Sequence, residues 1–401
     1  MWLMTHEGTV GLYGVRWRGH SMKSGVSLGK LSPREALFGS STAAIDAPLN
    51  LDEVRSSIDG ITDWTRLSAI SYMPETGNDG LTSGLTVNVR ATESESWQQG
   101  DATLQFRSDW RSTLQRGTEE SGLKVHNGVI LSSRFPSERP FSDHLQEQRK
   151  VLNLITLLSG KPVHFRRHKV SSQDIVTYSV GGTVLGRPKA DLISAETVRD
   201  VSQPQPSVDE FKSFLAQFPE IGGSGMERWA NCHDDWKRYV LPAVGILGRR
   251  GAFIEDVIVS LSMSIEAAGQ LLGPVDGEKQ TYARGRATTA TNVYRCFETL
   301  RLDRGDIAPS SVALSRAIAN TYNDIKHFDR GEFPDPDVSH LVSVLVRYIV
   351  RCLPLHIIDP SDGLLDSARG DKALFRLHGL REDLGISFDE SGKVQRTRTT
   401  E

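Results

Sequence analysis

The hydrophobic period of this chain changes at Gln203-Pro204-Gln205-Pro206-Ser207, and that change limits what the chain can fold into. Before it, apolar residues come in short runs bounded by Gly, Ser and Thr, as strands and turns require. After it they recur every three to four residues over long stretches, as amphipathic helices require. Two prolines so close together favour an extended connection. The expected fold class is α+β, a strand-rich N-terminal domain followed by an all-α antiparallel helical bundle. The expected boundaries are 1–202 for the strand-rich domain, 203–250 for a linker and connecting helices, 251–358 for the bundle and 359–401 for a polar C-terminal tail. The tail is expected to be disordered from Gln395 to Glu401.

Within the first domain, strand character is read at Thr9–Trp17, Val26–Leu28, Leu67–Tyr72, Leu85–Arg90, Ala102–Phe106 and Gly128–Ser133, then at Val163–His168 and Ile175–Val180. Leu51, Val54, Ile58, Ile61 and Trp64 fall at helical intervals, so a short helix is expected over 51–64, capped by Asn50. A longer helix is expected from Ser142 to Leu158. The basic run His164–Lys169 reads as an edge strand, where Lys and Arg block unwanted pairing.

In the second half, the breakers predict a short helix over Val208–Phe218, a flexible joint at Gly222–Gly225 and a stretch from Met226 to Leu247 ended or kinked at Pro242. Helices then follow over Phe253–Leu272, Thr288–Leu302, Leu314–Phe328 and Asp337–Leu353. Glu266 lies beside the apolar stripe of its helix and needs a partner if buried. Asp335-Pro336-Asp337 reads as a turn and cap.

A chain of 401 residues exceeds one ordinary core, so two or three domains are expected. The net charge of -3 gives no global pull on nucleic acid, so any such contact needs a local basic patch. Arg284-Gly285-Arg286 is the most exposed-looking one. Cys232, Cys296 and Cys352 are scattered and form no CxxC pair, which suggests neither a disulfide framework nor a cysteine zinc site. His233-Asp234-Asp235 beside Cys232 reads as a solvated acidic patch, since neighbours on a helix point apart. Gly181–Gly186 lacks the Lys-Ser/Thr pair of a phosphate loop. No cofactor or metal is expected. With no apolar run of 18 residues and no signal peptide, the expected compartment is the cytoplasm, without a membrane partner.

The stretch Leu314–Phe328 carries the chemistry. At about 100° per residue, Leu314, Ile318, Thr321, Ile325 and Phe328 form one stripe, and Arg316, Asn320, Asn323 and His327 form the opposite one. Two amides, a guanidinium and an imidazole can bind a phosphate and move a proton. The plainer reading of such a row is a solvated helix face. Tyr322 falls at the edge of the core stripe.

Two segments carry a resemblance to a known family: Val259–Leu272 (VSLSMSIEAAGQLL) and Tyr322–Gly331 (YNDIKHFDRG). With them the C-terminal half resembles a HEPN domain, of the Apea-like branch. Leu51–Trp64 with Leu67–Tyr72, and Pro140–Val163, are similar to the N-terminal domain that accompanies this HEPN type. The resemblance implies a HEPN-type bundle and a metal-independent endoribonuclease acting on RNA, with tRNA among its substrates, used in anti-phage defence and quiescent until a phage-derived trigger appears. It also implies an arginine, a polar residue directly after it and a histidine a few residues on, in a site completed by dimerisation. His327 matches the histidine and Asn323 the polar residue, while the arginine position holds Tyr322. Lys326, Arg330 and, across a two-fold axis, Arg316 are the cations that would replace it. The expected site therefore comprises His327, Asn323 and Lys326 as catalytic groups, and Tyr322, Arg316, Arg330, Arg284 and Arg286 as RNA contacts. The expected assembly is a homodimer or higher even oligomer. The alternative is a degenerate bundle serving as a nucleotide-binding, dimerisation or scaffold module.

Overall fold

The computed structural model describes residues 1–5, 8–38, 49–116, 121–178, 183–207, 211, 213–327, 333–369 and 372–396. They divide into two compact units, one of residues 1–152 and 163–209 and one of residues 153–162 and 210–401. The chain is mixed α+β, with strands dominating the N-terminal region and helices the C-terminal one.

The first unit contains β1 (Trp2–Thr5), β2 (Gly8–Tyr13), β3 (Arg16–Lys23), β4 (Val26–Ser32), β5 (Glu35–Phe38), β6 (Asn50–Ile58), α1 (Ile61–Thr65), β7 (Ile70–Thr76) and β8 (Thr82–Val89). It continues with β9 (Glu93–Gln99), β10 (Ala102–Arg116), β11 (Ser121–Pro140), the start of α2 (Phe141–Ser159), β12 (Phe165–Ser171), β13 (Thr177–Tyr178), β14 (Val184–Gly186), β15 (Ala190–Ser194) and α3 (Val198–Val201). Nine strands form one antiparallel sheet in the order β1-β2-β5-β15-β12-β6-β11-β10-β9. β3/β4 and β7/β8 are separate hairpins.

Residues 51–58 of the helix expected over 51–64 belong instead to the strand β6, paired with both β11 and β12. The three- and four-residue steps of Leu51, Val54 and Ile58 suit a helix, and in a strand the first of them puts Leu51 and Val54 on opposite faces, yet both are fully buried. The residues between them decide for a strand, because side chains alternate between faces. Ser56 points at Gln148 of α2 and at His168, while Glu53 and Arg55 point the other way, where Glu53 accepts from Ser132. Only α1 is helical, entered through Gly60 at φ 69°.

The basic run His164–Lys169 likewise falls on an interior strand, β12, between β15 and β6. Phe165, His168 and Val170 are buried on it. Arg166 is committed to structure: it grips Asp59 with two bonds of 2.6 Å and holds the backbone oxygens of Asp200, Gln203 and Pro204. Arg167 pairs with Asp191 through two bonds.

A polar network lies between the sheet and the first turns of α2. Gln148 Nε2 donates to Val54 O at 3.0 Å and to Ser133 Oγ at 2.9 Å. His144 bridges Ser133 Oγ at 3.0 Å and Leu51 O at 3.1 Å. Burial pushes the pKa of His144 down, and that of His168 down to about 4.

The second unit contains α4 (Phe218–His233), α5 (Lys237–Leu247), α6 (Ile254–Leu272), α7 (Thr289–Leu300), α8 (Ser311–Lys326), α9 (Pro336–Ile358), α10 (Gly363–Arg369), α11 (Lys372–Leu384) and the hairpin β16/β17 (Ile386–Phe388, Val394–Arg396). A 3-10 turn spans Glu278–Thr281 and another Gly305–Ile307. α6 packs against α5, α7, α8 and α9.

Among the described residues of 208–217 none is helical: α4 starts at Phe218, capped by Gln217, and Val208–Glu210 and Lys212 lie outside the described residues. Gly222 to Gly225 sit inside α4, where Gly222 breaks the helical path at φ 65°, ψ 178°. Gly225 lets α4 close on α9, because a Cβ there would sit 2.8 Å from Ile358. Pro242 does not end α5, which continues to Leu247. The expected break falls instead at Asp234–Trp236.

Asp335 caps α9 through Asp337 N at 2.9 Å. By length and composition α9 could cross a membrane, yet 78% of its most apolar window is buried among the other helices, as a core helix would be. The polar tail carries two helices and a hairpin, and Gln395 and Arg396 are in β17. Arg396 pairs with Asp335 and Asp337 at 2.5 and 3.6 Å.

Candidate active site

Helix α8 begins at Ser310, whose Oγ accepts from Ala313 N at 3.1 Å. Leu314 and Ile318 are fully buried and Thr321 is 4% exposed, so the apolar stripe faces the core. Tyr322 is at 1% exposure, among the largest fully buried side chains, and sits well inside the core rather than at its edge. Its OH accepts a 3.1 Å bond from Lys326 Nζ, which also stands over the ring at 5.1 Å. The bond to the phenol oxygen leads the effects that push the Lys326 pKa up, with a smaller electrostatic contribution from Glu266. Glu266 on α6 has its partner in the Thr289 hydroxyl at the start of α7.

The helix ends at Lys326, two residues before the expected end. His327 N makes the last helical bond, 2.9 Å to Asn323 O, but its φ and ψ of -114° and 105° are extended. Its side chain therefore departs from the helical row that was to carry it with Asn323. Burial falls off along this last turn, where Ile325 is only half-buried. His327 and Lys326 are both exposed at the C-terminal end of α8, where the helix dipole favours cations. Phe328 and Arg330 lie outside the described residues.

The upper half of the polar row is covered. Arg316 donates to Glu390 O at 2.9 Å and Gln280 O at 2.6 Å, and Asn320 donates to Ser391 O at 3.3 Å. These acceptors, Gln280 apart, lie in the turn of the β16/β17 hairpin. Gly392, at φ 77°, lies so close to α8 that a Cβ would sit 2.5 Å from Ala317 N. The structure thus separates Arg316 and Asn320, engaged with backbone, from Asn323, Lys326 and His327, grouped at the helix end. Arg284 and Arg286 are exposed in a tight turn closed by Ala283 and Arg286, with Arg284 at φ 50°. Among the described residues no hydrogen bond or ion pair joins that turn to His327.

One charged pair escaped the sequence reading. Arg295 on α7 is 8% exposed and forks onto Glu278 at 2.6 and 3.0 Å. Tyr282 OH and Val275 N add bonds of 2.6 and 3.0 Å. The Arg295 contact, foremost, holds the Glu278 pKa down to about 2. An arginine on the inward side of an amphipathic helix signals such a partner, because a buried guanidinium needs one. The pair staples the 278–281 turn to α7.

Among the described residues, no group of three or more His, Cys, Asp or Glu is placed to hold a metal ion. His233 is instead packed edge-on to Trp229 and bonded to Asn153 at 3.1 Å. The arrangement at the end of α8 offers an exposed imidazole for proton transfer, an ammonium held by a phenol, and an amide.

No curated protein and no solved structure matches this chain. The family model for ApeA N-terminal domain 1 matches residues 1–231, more than half of the 401 residues. The chain is an ApeA-like protein and belongs to the ApeA N-terminal domain 1 family.

Proposed function

We propose that this protein is an anti-phage defence effector whose helical unit, a HEPN-type bundle, cleaves RNA. The family of its N-terminal region supports the defence assignment. The observation that carries the chemistry is His327 exposed directly after α8, next to an exposed Lys326. Cleavage at a 2′-hydroxyl needs a proton acceptor, a proton donor for the leaving 5′-oxygen and positive charge on the phosphorane-like transition state. His327 suits either proton role, Lys326 supplies charge and Asn323 donates hydrogen bonds to a phosphate oxygen. One protomer brings a single histidine, so acid and base together require a second copy and an even oligomer. The N-terminal unit reads a phage-derived trigger, and RNA, tRNA included, is the substrate.

The test is incubation of the full-length protein with total RNA and tRNA, with and without EDTA, beside the His327→Ala variant. Cleavage that survives EDTA and disappears in the variant supports the reading. Undiminished cleavage by the variant overturns it. Light scattering giving a monomer at micromolar concentration would count against the shared site.

A second reading is favoured by the burial of Tyr322. In the resemblance this position belongs to the arginine, and here it is core. On that reading the bundle is a non-catalytic nucleotide-binding, dimerisation or scaffold module, and neither the protein nor infected cells expressing it cut RNA.

A further inference from the structure

The face of the nine-stranded sheet turned away from α2 carries an excess of positive charge around one buried acid. Glu53 on β6 is 2% exposed. Its Oε1 lies 2.9 Å from Arg55 Nε, 3.3 Å from Arg134 Nη2 and 3.8 Å from Arg107 Nη1, and its Oε2 lies 3.7 Å from Lys189 Nζ. Ser132 Oγ donates a further bond of 2.5 Å. One well-placed cation and one hydroxyl satisfy a buried carboxylate. Here three guanidinium groups and an ammonium converge on it, and Arg107 also pairs with Glu93.

The cost of that crowding shows at Lys189, whose pKa is pushed down by burial first and then by Arg55, Arg107 and Arg134 against the pull of Glu53. Strand register fixes the cluster, setting Glu53 opposite Arg134 and Arg55 opposite Ser132, with Lys169 opposite Arg55 on the other side. These strands are interior ones, so protection of a sheet edge does not explain the charges. The Arg134 side chain is 53% exposed and that of Lys189 33%. Their heads are free to turn from Glu53 to a ligand, while Arg55 and Ser132 keep the carboxylate satisfied.

We propose that Arg55, Arg107, Arg134 and Lys189 form a binding site for a compact polyphosphate, the di- or triphosphate group of a nucleotide, free or at the 5′ end of an RNA. Guanidinium forks match phosphate oxygens in pairs, and an ammonium adds a point charge. Convergence on one carboxylate suits several negative charges in a small volume, and a long backbone would need the same charges spread out. The site lies within the N-terminal unit and does not depend on whether the bundle cuts RNA.

The test is calorimetric titration of the full-length protein with tripolyphosphate, ATP, GTP, inorganic phosphate, and a short RNA bearing either a 5′-triphosphate or a 5′-hydroxyl. Tripolyphosphate and at least one triphosphate ligand should bind, at least about tenfold more tightly than inorganic phosphate, with affinity falling as salt rises. Arg134→Glu with Lys189→Glu should weaken binding by at least about a hundredfold. If circular dichroism shows that this double variant misfolds, the Arg134→Ala, Lys189→Ala pair replaces it, with a loss of at least about tenfold. Whichever of free nucleotide and 5′-triphosphate RNA binds more tightly names the source. Absence of binding by every phosphorylated probe, or equal binding by a folded double variant, overturns the proposal.

Discussion

Acidification should loosen the N-terminal unit from about pH 6.5 downwards, and His168 is the reason. The residue is 2% exposed, wedged between Phe141 and Phe165 with ring centroids 5.0 and 5.4 Å away. Ser56 spends its hydroxyl hydrogen on Gln148 Oε1. Its oxygen therefore accepts from His168 Nδ1 at 2.7 Å, and Thr197 donates to Nε2 at 3.0 Å. The ring is held neutral, and burial puts its pKa at about 4. The unfolded chain, with a value of about 6.5, binds the proton first. Stability therefore declines as pH drops below about 6.5, and the loss is complete near pH 4. That gap corresponds to about 3 kcal/mol. Glu53, held near 2 despite its burial by Ser132, Arg55 and Arg134, keeps its own contribution until pH falls below about 4.5.

The assay is urea unfolding from pH 7.5 to 4.8, read by hydrogen exchange in peptides covering 50–58 and 165–171, for wild type and His168→Gln. Glutamine retains a donor and an acceptor but does not titrate here. His144 and the carboxylates remain in both proteins, so the difference in pH slope isolates His168. Identical slopes would refute the reasoning.

Other substitutions test the bundle. If the bundle is the ribonuclease proposed above, His327→Ala should abolish RNA cleavage and growth toxicity while changing stability by less than about 0.5 kcal/mol, as thermal melting reads it; Asn323→Ala should weaken activity less. Tyr322→Arg should lower stability by about 3 kcal/mol or more, because it buries a guanidinium in place of a fully packed ring, and a melting temperature equal to wild type would contradict the placement. Gly392→Ala should lift the β16/β17 turn off α8, raising hydrogen exchange over 386–396 and freeing Arg316 and Asn320. Glu278→Gln should cost about 3 kcal/mol by leaving Arg295 short of charge, with no pH dependence left from that site between about 4.5 and 2.

The long helices were legible because their stripes persist over many turns: α6 and α9 were read within a residue or two of their starts, although α9 runs on through Pro354 to Ile358. Shorter patterns misled. Over 51–64 the apolar steps of three and four residues fitted a helix, and the deciding fact, that Ser56 and Glu53 bond on opposite faces of a strand, involves residues far away in sequence. His164–Lys169 looked like an edge because charge was counted without its partners, Asp59 and Asp191. At the end of α8 the residue types were visible but not their geometry. Whether Arg316 faces solvent depends on a hairpin some 70 residues later, and local periodicity carries no information about that.

The order of the sheet also sets when it can form during synthesis. β5, near residue 35, has β2 on one side but waits on the other for β15, which ends at Ser194. β6 waits for β11 and β12 in the same way. Each ladder closes a long loop, so its entropy is lost before any hydrogen bond is gained. The growing chain thus carries unpaired strands for most of its first two hundred residues, and the binding face around Glu53 is not assembled until Lys189 has emerged. The helical segments, rich in local contacts, are made afterwards. A polypeptide interrupted before β15 can hold neither unit's chemistry, so truncated products of a defence protein made in this order would be harmless to the cell that makes them.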